Sequence, residues 1–181
     1  MKVIAISGSL RKGSYNTSAL RAAQALAPEG MTIDRAEIGD IPLYNEDVKA
    51  AGFPPAVERL RRQIAEADAL LFVTPEYNYS VPGVLKNAID WASRPPNQPF
   101  DGKPVAVMGA SPGQIGTARA QYHLRQMMVF LNAHFVNRPE VMIAQATTKF
   151  DAEGNLTDEQ TKDFIAKLLV ALRDWTERLK M

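Results

Sequence analysis

Apolar residues gather in four short unbroken runs, Val3–Ile6, Ala69–Val73, Val105–Met108 and Val141–Ala144, and each run predicts a strand. Runs without polar alternation suit strands covered on both faces, as in parallel sheets. Between them apolar positions recur at helical spacing, over about Thr17–Ala27, Pro55–Ala65, Val84–Ala92 and Thr117–Leu131, with a last stretch from about Asp158 to Leu179. The segment Thr32–Ala36 reads differently. Thr32, Asp34 and Ala36 fall on one side and Ile33 and Arg35 on the other, so it predicts a fifth strand that meets water.

Strands alternating with helices predict an α/β fold built on a parallel sheet with right-handed crossovers. Two doubly wound strand orders are common, and the polar strand chooses between them. The dinucleotide-binding order would bury Asp34 and Arg35 in an internal strand at high cost, whereas the flavodoxin-like order 2-1-3-4-5 leaves that strand at the edge. Five strands in that order, with helices on both faces, is the expectation. Pro95, Pro96 and Pro99 mark a loop before the fourth strand, and Asp151–Asn155 a turn before the last helix. In such a sheet ligands bind outside the carboxyl ends of the strands.

Composition narrows the chemistry. The 181 residues, 46% hydrophobic, suit one domain, residues 1–181, that buries roughly 70% of its unfolded surface. Twenty-one basic residues against 20 acidic ones, with no long run of one sign, argue against a nucleic-acid partner. No apolar stretch reaches the roughly 20 residues that span a bilayer, and Met1-Lys2 leads straight into the first strand without a signal-peptide pattern. No membrane association and a cytoplasmic location are the expectations. Without cysteine there is no disulfide, thiolate nucleophile or iron–sulfur cluster, and His123 and His134 stand alone, surface or packed histidines rather than metal ligands.

The first loop runs Ser7-Gly8-Ser9-Leu10-Arg11-Lys12-Gly13-Ser14-Tyr15-Asn16-Thr17 before a helix near Ser18. Hydroxyls at Ser9, Ser14 and Thr17, the guanidinium of Arg11 and two glycines make a phosphate cradle at a helix N-terminus. The helix end supplies about 0.3–1 kcal/mol, whereas micromolar binding needs about 8, so further contacts are required. A P-loop needs Lys-Ser or Lys-Thr after its last glycine, where Ser14-Tyr15 stands, and the dinucleotide fingerprint needs glycine in place of Leu10. A phosphatase cysteine and receiver-domain acids are missing as well. A plain helix cap from Ser14, Asn16, Thr17 or Ser18 is the alternative, but it leaves Arg11 unexplained.

The third loop, Thr74-Pro75-Glu76-Tyr77-Asn78-Tyr79-Ser80-Val81-Pro82-Gly83, brings two tyrosines beside an amide. Aromatic rings cover a flat heterocycle, and backbone N–H groups at Asn78 and Tyr79 suit the pyrimidine edge of an isoalloxazine. Ser80 as helix cap with Pro82 in the first turn accounts for the end of the loop only. The fourth loop, Gly109 to Gly116, is built of small residues that leave room for a flat ligand or form a structural turn.

With these motifs the chain resembles the NADPH-dependent FMN reductases, which include bacterial quinone and chromate reductases. The likeness rests on Gly8-Ser9-Leu10-Arg11 with Ser14, Asn16 and Thr17, on Pro75 to Gly83 followed by Leu85, Lys86, Asn87, Ala88, Asp90 and Trp91, and on Ser111-Pro112-Gly113. It implies FMN as cofactor and NADPH or NADH as electron donor. It also implies that Ser9, Arg11, Ser14, Asn16 and Thr17 hold the phosphate, that Pro75, Glu76, Tyr77, Asn78 and Tyr79 border the ring, and that Ser111 and Gly113 close its other side. A homodimer or homotetramer is implied too, and the surplus apolar surface of Thr117–Leu131, with Met127, Met128 and Phe130, suits such an interface. The expected reaction is ping-pong electron transfer to a quinone or similar small-molecule acceptor, with chromate or other oxidised metals as further acceptors. The hydride chemistry is the flavin's own and needs no catalytic residue, and Glu76, the one loop acid near the ring, reads either as a helix-flanking or salt-bridged carboxylate or as a proton relay. A flavodoxin-type electron carrier without turnover of its own is the rival reading.

Overall fold

The computed structural model describes residues 1–181. Its elements are β1 (Lys2–Ser7), α1 (Tyr15–Ala25), β2 (Thr32–Ala36), α2 (Glu46–Ala50), α3 (Pro55–Glu66), β3 (Ala69–Val73), α4 (Gly83–Ala92), β4 (Pro104–Ala110), α5 (Ala118–Val129), β5 (His134–Phe135), β6 (Val141–Ile143) and α6 (Glu159–Leu179). All strand pairs are parallel and run in the order β2-β1-β3-β4-β5, so the flavodoxin-like arrangement holds. Alternate residues of each central strand feed two cores. Val3, Ala5, Leu71 and Met108 pack under α1 and α6, while Ile4, Ile6, Phe72 and Val107 pack under α3, α4 and α5. Burial on both faces is why these strands lack polar alternation. β2 takes the edge, with Thr32, Asp34 and Arg35 exposed.

Two departures concern short elements. The far side of β4 carries two strands where the sequence predicts one: His134 and Phe135 pair with Pro104 and Val105, and Val141–Ile143 pairs with Met108–Ala110. Pro139 lies between them after a cis peptide bond and has no N–H to give a ladder. β5, at two residues, is too short for any periodic signal. Helix α2 buries no residue, so no apolar stripe announces it; its mark is Asn45, whose side chain accepts from the Asp47 N–H at 2.9 Å. No helix is long and apolar enough to cross a membrane.

The carboxyl ends of β1, β3 and β4 lie side by side and release the three loops that the sequence singles out. Close packing joins them. A Cβ on Gly8 would lie 3.1 Å from Thr74 Oγ1 and 3.2 Å from Pro75 Cδ, and one on Gly109 would collide with the Thr74 carbonyl at 2.2 Å. Gly116, at φ +60°, has the backbone of Met142 where a Cβ would stand. A side chain at these positions would push the loops apart.

Candidate functional site

The three loops enclose a cavity of about 320 Å³ lined by Ser9, Arg11, Ser14, Asn16, Glu76 and Ser111 among others, a size proper to a small-molecule site. On its first side α1 begins at Tyr15, three residues earlier than the loop pattern predicts, with Ser14 as its cap accepting the Asn16 N–H at 3.2 Å. Ser14, one of the residues expected to hold a phosphate, is thus also the helix cap. Ser9 and Ser14 are both buried, and the Ser9 hydroxyl has no partner in the chain. The N–H groups of Tyr15 and Thr17 donate to nothing within the chain, as the first turn of a helix leaves them. Arg11 is exposed, forms no ion pair and rests 5.7 Å from the Tyr15 ring centroid. Unpaired donors converging on one cavity fit a phosphate group.

Two of the predicted phosphate residues do other work. Asn16 is 3% exposed, and its amide is committed to the end of β4, donating to the Ala110 carbonyl at 2.9 Å and accepting the Ala110 N–H at 2.8 Å. It locks the cradle to the fourth loop. The Thr17 hydroxyl sits 3.4 Å from Ser7 Oγ, outside the cavity lining.

On the second side Pro75, Glu76 and Tyr77 line the cavity. Tyr77 and Ser80 exchange two backbone hydrogen bonds of 3.0 Å across Asn78 and Tyr79, whose φ angles are +51° and +64°. This is the two-residue turn that demands left-handed backbone at both centres. Holding a tyrosine there costs about 1–2 kcal/mol, and the turn leaves the N–H groups of Asn78 and Tyr79 without acceptors in the chain. Ser80 does not cap the following helix. Its hydroxyl lies 3.1 Å from His123 Nδ1, and Pro82 itself occupies the cap of α4.

On the third side Ser111, Pro112 and Ala110 line the cavity, while Gly113 lies beyond it and accepts the Gln145 N–H at 2.9 Å. The Ser111 hydroxyl donates to the Gly116 carbonyl and shapes its own loop. Glu76 reaches across to α5. Its Oε2 accepts from the N–H groups of Arg119 at 3.0 Å and Ala120 at 3.1 Å, and Oε1 from Arg119 Nη1 at 2.9 Å. Arg119 in turn lies over the Tyr79 ring, 3.6 Å from its centroid. Sequence reading missed Arg119, because nothing local shows that an acid 43 residues upstream caps this helix.

Known proteins resemble this chain over nearly its whole length. The family profile for the NADPH-dependent FMN reductases matches residues 1–148. An NAD(P)H-dependent FMN reductase of Pseudomonas aeruginosa is 64% identical over 180 residues, 99% of this chain and 97% of that protein. The quinone reductase of Escherichia coli is 48% identical over 184 residues, covering 100% and 98%. FerB, a flavoenzyme NAD(P)H:(acceptor) oxidoreductase from Paracoccus denitrificans, superposes with a TM-score of 0.89 at 42% identity over 98% of this chain and 97% of that one. Fold, loops and relatives thus lead to one assignment, and the chain belongs to the NADPH-dependent FMN reductase family.

Proposed function

We propose that this chain, acting as one domain in the cytoplasm, binds FMN non-covalently at the carboxyl ends of β1, β3 and β4 and catalyses NAD(P)H-dependent reduction of quinones or similar small molecules. One observation carries the reading: the Ser9 hydroxyl, the Arg11 guanidinium and the Tyr15 N–H, all without acceptors in the chain, meet at a single cavity beside the Ser14 hydroxyl that caps α1. Bound FMN supplies the redox chemistry by taking electrons from a nicotinamide and giving them to the acceptor. The chain orients it. Ser9, Arg11 and Ser14 hold the phosphate with the N–H groups of Tyr15 and Thr17, and Asn16 keeps the cradle in register with β4. The Asn78 and Tyr79 N–H groups meet the polar edge of the ring, Tyr77 borders it, and Ser111 and Gly113 belong to the loop that closes its far side. Donor and acceptor occupy the same open face in turn, which makes the kinetics ping-pong, with chromate or other oxidised metals as further acceptors.

The chain assembles with itself. The outer face of α5 exposes Tyr122 and Val129, and Phe130 just past its end is 89% accessible, more apolar surface than a helix facing water needs. A second copy covers it in a dimer or tetramer. A monomeric mass in light scattering at micromolar concentration overturns this.

Absorbance tests the reaction. Protein mixed with FMN and desalted retains bands near about 375 and 450 nm that bleach with NADPH under anaerobic conditions, and it then turns over a quinone. Flavin that binds but does not bleach makes the chain an electron carrier; no retained flavin overturns the site.

A further inference from the structure

Glu76 occupies the one place where the cavity, the Asn78–Tyr79 turn and the start of α5 meet. Its side chain is 9% exposed and lines the cavity. Both oxygens are engaged by the Arg119 and Ala120 N–H groups and by Arg119 Nη1, all within 3.1 Å. Three of the four or so acceptor directions of the carboxylate are therefore taken, which unfits it as a proton shuttle. What it meets is positive. The first turn of α5 carries roughly half a unit of charge and Arg119 a full one, so one carboxylate cancels the larger part of both. Through Arg119, stacked on Tyr79, it also fixes the turn whose N–H groups at Asn78 and Tyr79 have no acceptor in the chain.

We propose that Glu76 is the positioning and charge-balancing residue of the flavin site, setting how tightly the site holds reduced FMN relative to oxidised FMN. This rests on the FMN reading above. A hydride from the nicotinamide brings two electrons and one proton to the ring and leaves oxidised NAD(P)⁺, so the bound ring gains one negative charge. A positive field beside the ring favours that charge, and Glu76 offsets the field. Replacing the carboxylate with an amide uncovers the α5 terminus and Arg119 and strengthens binding of the reduced form. Replacing Arg119 acts in the opposite direction, and more weakly, because its side chain is 41% exposed and screened by solvent.

The test uses the full chain loaded with FMN as wild type, Glu76→Gln and Arg119→Gln. Midpoint potentials are read by equilibration with redox dyes, and the Kd of oxidised FMN by fluorescence quenching. Glu76→Gln shifts the affinity ratio three- to tenfold toward reduced FMN, which raises a two-electron potential by about 14 to 30 mV. Arg119→Gln lowers the potential by less. Flavin bound at the same potential in all three proteins overturns the proposal and leaves the flavin site standing, since a merely structural role weakens both redox forms alike. Should Glu76→Gln fail to fold by circular dichroism, the sign for Arg119→Gln decides, and an unchanged or raised potential overturns the proposal. Wild type that holds no FMN overturns the site reading and this proposal with it.

Discussion

Arg11, in the first loop, and Asn16, in the first turn of α1, stand five positions apart and do opposite kinds of work. Arg11 has no acceptor within the chain, so its removal costs the fold nothing and the ligand a great deal. Arg11→Ala is expected to weaken FMN binding by about one to two orders of magnitude, the value of a charge-assisted hydrogen bond at roughly 1.5–3 kcal/mol. The melting temperature of the FMN-free protein stays put, as differential scanning calorimetry would check. Asn16 is the reverse. Asn16→Asp sets a carboxylate against the Ala110 carbonyl in a buried place, and urea denaturation is expected to show a loss of about 2–3 kcal/mol before any ligand is added. The sequence placed both in the cradle because spacing and residue type are local. The partner of Asn16 lies 94 residues away, and no periodicity carries that distance.

At the scale of elements, strands and long helices were legible because burial imposes a period, whereas α2 and β5 bury too little to impose one. The proline-rich loop was legible as a loop, but what holds it was not. Arg61 of α3 donates to the carbonyls of Ala92, Arg94 and Asn97 at 2.6, 2.7 and 3.1 Å, and to that of Pro96, while stacking on Phe53. Burial holds its guanidinium below the usual arginine value. Arg61→Ala is expected to destabilise the fold by about 2 kcal/mol in urea, and Arg61→Lys to recover little of it, because a point charge does not reproduce a planar fork. The last helix depends on a simpler device. Asp158 accepts the Thr161 N–H at 2.9 Å as its cap, and Asp158→Ala is expected to cost about 1 kcal/mol in the same assay.

The whole molecule has a working end and a fastened end. The loops open at the carboxyl ends of the strands, and at the opposite end Asp68 joins three parts of the chain: it accepts from Lys180 after α6 at 2.6 Å and from the Lys2 N–H at the start of β1 at 2.8 Å. The Lys180 ammonium, and then the Lys2 N–H, hold its carboxyl below the usual aspartate range. A carboxyl depressed in the folded state adds stability above its unfolded pKa of about 3.9, and that stability drains away as the pH falls below it. Acid unfolding of Asp68→Asn, followed by circular dichroism from neutral pH down to pH of about 2, is therefore expected to be less steep than that of wild type. High salt narrows the difference, because the pair meets solvent. The sequence announced the working end through its motifs, but the fastened end only as scattered charges.

The split between β5 and β6 beside β4 has a meaning for the protein in a crowd. An open sheet ends in rows of backbone donors and acceptors that invite a stranger's strand, and a chain this rich in buried β-forming residues would be a good template. Here one margin offers a two-residue and a three-residue stub separated by a proline, and the other turns Asp34 and Arg35 outward. Neither margin gives an incoming strand a long apolar register to settle into, so both edges of the sheet resist amyloid-like growth.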